Sequence, residues 1–119
     1  MLVALVALAL SGTPSARLTV TVWPTGRGKA ARTWTLECAP VGGTLPRRVA
    51  ACAGLARAPD DAFAPVPPAT VCSQIYGGPQ VAVVRGLFRG RRVWATFNRR
   101  NGCEVARWSR LAFLFPVRL

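Results

Sequence analysis

Four cysteines are the residues in this chain best equipped for chemistry, and their surroundings narrow what that chemistry is. Cys38, Cys52, Cys72 and Cys103 include no Cys-x-x-Cys pair, and the 119 residues contain no histidine. A histidine triad, a histidine acid–base pair and a histidine-ligated zinc site are therefore excluded within the chain. A four-cysteine zinc site without close pairs is a poor alternative. Four cysteines in a short exported chain most simply form two disulfides, and three pairings are open on spacing alone. The acids number only four, Glu37, Asp60, Asp61 and Glu104. Asp60 and Asp61 are adjacent, so their carboxylates need not converge, and they read as a solvated turn. Glu37 and Glu104 stand alone, and Ser73 has no base to activate it. No enzyme, cofactor or metal site is expected.

Composition points to one folded, exported domain. Apolar residues make up 51% of the chain, enough for a core despite ten prolines. At this length the core is modest and gains from disulfide staples. Residues 1–10 are an apolar run too short to span a bilayer as a helix. Small residues follow it, as in a secretory signal, so 1–16 is expected to be a signal segment and 17–119 the domain. The positive stretch that normally precedes such a run is missing, so the true start is expected upstream. A buried N-terminal strand or helix is the competing reading. The chain is expected to be secreted, with no membrane span.

Net charge is +12, from fifteen arginines and one lysine against the four acids. Arg85, Arg89, Arg91 and Arg92 cluster around a hairpin and Arg99 and Arg100 in a turn, with Trp94 and Trp108 nearby. Such a surface could hold phosphates and stack bases, so a domain binding nucleic acid or another polyanion is the alternative function. The charge is scattered along the whole chain and no nucleic-acid motif accompanies it, so a nucleic-acid partner is not expected.

Alternation supplies the elements that must position any site. Residues 17–23 (RLTVTVW) and 33–38 (TWTLEC) read as half-buried strands forming an antiparallel pair. Residues 47–57 (RRVAACAGLAR) read as a short helix whose stripe is Val49, Cys52 and Leu55. Phe63 is expected to plug the core. Residues 80–84 and 92–97 read as a hairpin, 104–110 as a short helix and 111–117 as a last apolar strand. The order predicts an α+β domain, a single antiparallel sheet of about five strands with two short helices. Trp23, Trp34, Trp94 and Trp108 read as core or dimer-interface packing.

Residues 66–79 (VPPATVCSQIYGGP) fit none of these elements. Pro67 and Pro68 fix φ and bias the preceding residues to extended backbone, and a Gly-Gly-Pro turn closes the stretch. Cys72 pins its middle. The segment is too broken for a core strand and too constrained for a linker, so it reads as a rigid, exposed, extended loop held for a partner.

Four segments carry a family resemblance: Leu36-Glu37-Cys38-Ala39-Pro40, Ala51-Cys52-Ala53-Gly54-Leu55, the loop from Val71 to Pro79, and Phe97-Asn98-Arg99-Arg100-Asn101-Gly102-Cys103-Glu104. In order and spacing they resemble the Streptomyces subtilisin inhibitor family of secreted serine-protease inhibitors. The resemblance implies disulfides Cys38–Cys52 and Cys72–Cys103, a homodimer, and a reactive bond between Gln74 and Ile75. By the same resemblance Val71, Cys72 and Ser73 lead into the bond, and Gln74 enters the protease's primary specificity pocket. Ile75 and Tyr76 follow on the leaving-group side, and Gly77, Gly78 and Pro79, the first of them still within the protease-binding loop, turn the chain back. Asn101 is implied to lie under the loop and hydrogen-bond its backbone, although Asn101-Gly102 reads equally well as an ordinary tight turn. Lysine, arginine or methionine is more usual at position 74. A neutral glutamine points to subtilisin-like rather than trypsin-like targets.

Overall fold

The computed structural model describes residues 14–119. The first strand, β1 (Ala16–Trp23), shows why one face of the sheet becomes the core. Ala16, Leu18, Val20 and Val22 are buried, while Arg17, Thr19, Thr21 and Trp23 point the other way. That two-residue period is what a pleated strand needs to bury one side only. β2 (Arg32–Cys38) repeats it with Trp34, Leu36 and Cys38 inward. The two strands pair antiparallel from Ala16↔Cys38 to Val22↔Arg32.

On its other edge β1 pairs antiparallel with β4 (Val81–Phe88), and β4 pairs with β5 (Arg91–Phe97). A two-residue turn joins β4 to β5. Arg89 and Gly90 have φ of 51° and 80°, the doubly positive pair that suits a tight hairpin to the strand twist. The fifth strand, β3 (Gly42–Gly43), lies beyond β2, giving the order β3-β2-β1-β4-β5. Thr35 and Thr44 exchange side-chain-to-backbone hydrogen bonds at 3.0 and 3.3 Å and hold this short edge in register.

Two helices cover the apolar face. α1 (Arg48–Arg57) buries Ala51 and Leu55 and is tied to β2 by the Cys38–Cys52 disulfide. α2 (Gly102–Arg110) buries Arg107 and Trp108. The expected stripe on α1 is corrected at Val49, which is 73% exposed. Ala51 and Leu55, spaced i and i+4, form the inward line instead. Phe63 fills the core as expected, its ring edge-on to Phe88 with centroids 5.2 Å apart.

The expected last strand over 111–117 is also corrected. After α2 the chain continues as a 3₁₀ turn (Ala112–Leu114) and an irregular tail. Leu111, Leu114 and Phe115 are buried beside Trp108. Phe115 stacks obliquely on Trp108 and Phe97, with centroids at 4.6 and 5.2 Å. Their three- and four-residue spacing prolongs the helical face of α2, so this apolar run packs under the sheet rather than joining it.

Arg107 is the one buried charge among the described residues. Its guanidinium donates to the carbonyls of Ala64, Thr96 and Phe63 at 2.9, 2.7 and 3.1 Å and lies 4.0 Å from the centroid of the Phe97 ring. Burial pulls its pKa below the usual arginine value, and Glu104, 3.7 Å away, works in the opposite direction. Three carbonyl partners let the charge stay buried, and they fasten α2 to β5 and to the segment leading into the loop.

The segment read as an export signal lies, through residue 13, outside the described residues. Ser15 and Ala16 take part in the sheet: the Ser15 N–H donates to Cys38 O at 3.0 Å, and Arg89 N–H donates to Ser15 O at 2.9 Å. Among the described residues no helix is long and apolar enough to cross a membrane.

Candidate functional site

Between the end of the Phe63 turn and the start of β4, the chain crosses one end of the domain without regular structure. The side chains it displays are unusual for water. Val71 is 97% exposed, Ile75 66% and Tyr76 65%. Three large apolar groups held outward on one stretch mark a surface built to be covered.

The backbone beneath them is fixed at several points. On the approach, Thr70 donates to Pro67 O through both its N–H (3.3 Å) and its hydroxyl (2.6 Å), closing a turn after the prolines. Cys72 is then bonded to Cys103 in the first turn of α2. One residue later, Ser73 O accepts the N–H of Gly102 at 3.0 Å. Beyond Tyr76, Gly77 and Arg99 bond reciprocally: Gly77 N–H donates to Arg99 O at 2.7 Å, and Arg99 Nε donates to Gly77 O at 3.2 Å. Gln74, Ile75 and Tyr76 are therefore a short span suspended between two braces.

Two glycines let the braces form. A side chain at Gly102 would drive its Cβ into the Ser73 hydroxyl. At Gly77 a Cβ would sit 2.7 Å from Val105 Cγ2, inside contact distance. α2 can approach the loop this closely only because both positions lack a side chain.

Asn101 occupies the N-cap of α2, and its Oδ1 accepts the Glu104 N–H at 3.0 Å. Its side-chain oxygen serves the helix, and the bond to the loop comes from the next peptide, Gly102 N–H to Ser73 O. Pro79 is exposed at the far end of the loop, with its carbonyl against Gly26 in the β1–β2 turn. Both disulfides implied by the family resemblance are present, Cys38–Cys52 and Cys72–Cys103.

Arg99 is a support that sequence reasoning missed. It reads as one more charge in a basic turn, yet its guanidinium is half-buried and lies 5.8 Å over the Trp108 ring. The role of Gly102 was hidden by its pairing with Asn101, which resembles a simple turn. The spacing of Asn101 and Glu104 carried the usable signal, since an N-cap residue followed three positions later by glutamate marks a helix start.

Other candidate chemistry is dispersed. Glu37, Asp60 and Glu104 each lie near a different arginine, at 3.7, 2.8 and 3.7 Å. Arg89 is committed to Asp60 and to the C-terminal carbonyls of α1, among them Leu55 O at 3.0 Å and Ala58 O at 2.7 Å. Trp108 is 1% exposed and cannot stack on a base. Trp94, by contrast, is 75% exposed on the open face of the sheet, with Arg85 5.8 Å from its ring.

The family model described as subtilisin inhibitor-like matches residues 13–101. A search of curated proteins by sequence finds no significant match. Among solved structures, the chain is similar to Streptomyces caespitosus sermetstatin, crystallised in complex with Bacillus licheniformis subtilisin. The identity is 27% and the TM-score 0.53, over 87% of this chain and 99% of that one.

Proposed function

The chain belongs to the subtilisin inhibitor-like family, and from that premise we propose that it is a secreted, substrate-like inhibitor of subtilisin-like serine proteases with Gln74–Ile75 as its reactive bond. The observation that carries this reading is the three-residue span Gln74-Ile75-Tyr76, held outward between the Ser73–Gly102 and Gly77–Arg99 braces.

A serine protease binds extended backbone, then attacks a carbonyl with its activated serine while an oxyanion hole stabilises the tetrahedral intermediate. A flexible peptide must be ordered when it binds, which weakens the complex. A loop already fixed by a disulfide and backbone bonds avoids much of that loss. Protease–inhibitor interfaces of standard size bury about 1,600 Å² and include some of the tightest known.

The same braces govern the fate of the loop after attack. When the Gln74–Ile75 bond opens, Gln74 stays tethered through Cys72 and Cys103, and the new amine of Ile75 stays tethered through Gly77 and Arg99. The amine remains beside the acyl-enzyme at high effective concentration, so religation competes with hydrolysis. In this reading Val71, Cys72 and Ser73 lie along the acyl side, Gln74 fills the primary specificity pocket, and Ile75, Tyr76 and Gly77 lie along the leaving-group side. Gly102 and Arg99 hold the loop directly, Asn101 acts by fixing the start of α2, and Pro79 seats the far end.

The chain acts through binding rather than turnover and is exported. It pairs as a homodimer through the open sheet face, where Trp94 is 75% and Leu87 37% exposed. Sedimentation of the wild type and of Trp94→Ala checks the dimer; an unshifted mass would reject that face. Titration of active subtilisin and of trypsin with the oxidised domain checks the function. Stoichiometric loss of subtilisin activity, with weak effect on trypsin, is expected. Absence of inhibition of any subtilisin-like enzyme by the folded, disulfide-bonded protein would refute it.

A further inference from the structure

Beside the leaving-group side of the loop lies a notch of about 270 Å³, lined by Tyr76, Gly78, Pro79, Gln80, Arg27 and Arg100 among others. Its two charges come from different parts of the chain. Arg27 stands in the β1–β2 turn with its guanidinium 4.6 Å from the centroid of the Trp23 ring. Arg100 stands in the turn before α2, where its N–H donates to Asn98 Oδ1 at 3.0 Å. Both arginines are exposed, and among the described residues neither is in an ion pair.

The acids are placed elsewhere. Glu37 faces Arg17, Asp60 faces Arg89 with Asp61 beside it in sequence, and Glu104 is near the buried Arg107. Two exposed arginines without an ion pair among the described residues therefore line the notch that Tyr76 borders. A guanidinium fork is suited to a carboxylate, and stacking on Trp23 limits the freedom Arg27 loses on contact.

We propose that Arg27 and Arg100 form a docking element for carboxylates on the primed-side rim of the target protease, so that the inhibitor selects subtilisin-like enzymes that are acidic there. This rests on the reading of Gln74–Ile75 as the reactive bond, which places Tyr76 and the notch over that rim. Charge at the edge of an interface acts chiefly on the rate of encounter and on partner choice, and salt screens it. The selection therefore shows itself in association rates at low salt.

The test uses the full oxidised chain, its Arg27→Gln/Arg100→Gln variant, and a charge-keeping Arg27→Lys/Arg100→Lys variant. The probes are Bacillus licheniformis subtilisin and the same enzyme with a glutamate introduced on its primed-side rim. The wild type is expected to associate about tenfold faster with the glutamate enzyme at low salt. High salt removes that gain, the glutamine variant lacks it, and the lysine variant keeps most of it. Thermal melts establish that all three chains are folded. Equal gains in wild type and glutamine variant overturn the proposal while leaving the inhibitory reading intact. Failure of the wild type to inhibit either enzyme overturns the inhibitory reading and this inference with it. Salt-sensitive DNA binding that the glutamine variant loses, with protease kinetics unaltered, assigns the notch to a polyanion and also overturns it.

Discussion

The two disulfides tie down different kinds of chain. Cys38–Cys52 joins the end of β2 to α1, and Cys38 is only 4% exposed within the core. The elements on either side have their own hydrogen bonds and their own buried faces. Cys72–Cys103 joins α2 to a loop with neither a ladder nor an apolar face turned inward. The first bridge reinforces structure that the sheet already specifies. The second fixes a conformation that little else would hold, and that conformation is what a protease meets.

This comparison can be broken first at the bridges themselves. In the chain-entropy picture they close loops worth about 3 and about 4 kcal/mol respectively. Cys38→Ser/Cys52→Ser is expected to lower unfolding stability while leaving inhibition intact in the molecules that remain folded. Cys72→Ser/Cys103→Ser is expected to weaken inhibition about a thousandfold, the equivalent of about 4 kcal/mol, and to turn the chain into a substrate. Inhibition constants set beside denaturant melts separate the two. Equal loss of inhibition from either pair would erase the distinction.

A pair of arginines sharpens it. Arg107→Met leaves three carbonyls without their donor, one of them buried and two part-buried, and is expected to cost about 3 kcal/mol in a urea melt. Arg99→Met removes one bond to Gly77 O and is expected to cost about 1 kcal/mol or less in the same melt. The same loss falls on the loop: cleavage by subtilisin in long incubations should rise about fivefold, the equivalent of about 1 kcal/mol of bracing. Comparable cleavage rates for Arg99→Met and wild type would show that Gly77 needs no second tether.

A smaller change alters the target while keeping the scaffold. Gln74→Lys introduces a cation that a trypsin-like specificity pocket can pair, so trypsin inhibition should appear with an unchanged melting temperature. No gain in trypsin inhibition would place the contact residue elsewhere on the loop.

Much of this was legible in the sequence, for identifiable reasons. The strands of β1, β2 and β5 alternate strictly enough to fix their faces, and the prolines and glycines bounding 66–79 announce a constrained loop. The edge strand Gly42–Gly43 has no side chains with which to alternate, so only its pairing with Leu36 and Glu37 reveals it. The 111–117 run is apolar at nearly every position and carries no clear period. Its partner Trp108 decides that it packs as a continuation of α2. Arg99 and Arg107 were visible only as positive charge. That one braces the loop and the other fills the core depends on carbonyls distant in sequence, Gly77 for the first and Phe63 and Ala64 for the second.

The central claim, that Gln74–Ile75 is the bond presented to the protease, is tested most directly by mass spectrometry of the oxidised inhibitor after long incubation with catalytic subtilisin at low pH. The account predicts slow cleavage at that bond alone, giving two fragments still joined through Cys72–Cys103, with inhibition retained. Cleavage first at another bond, with Gln74–Ile75 intact, would contradict it.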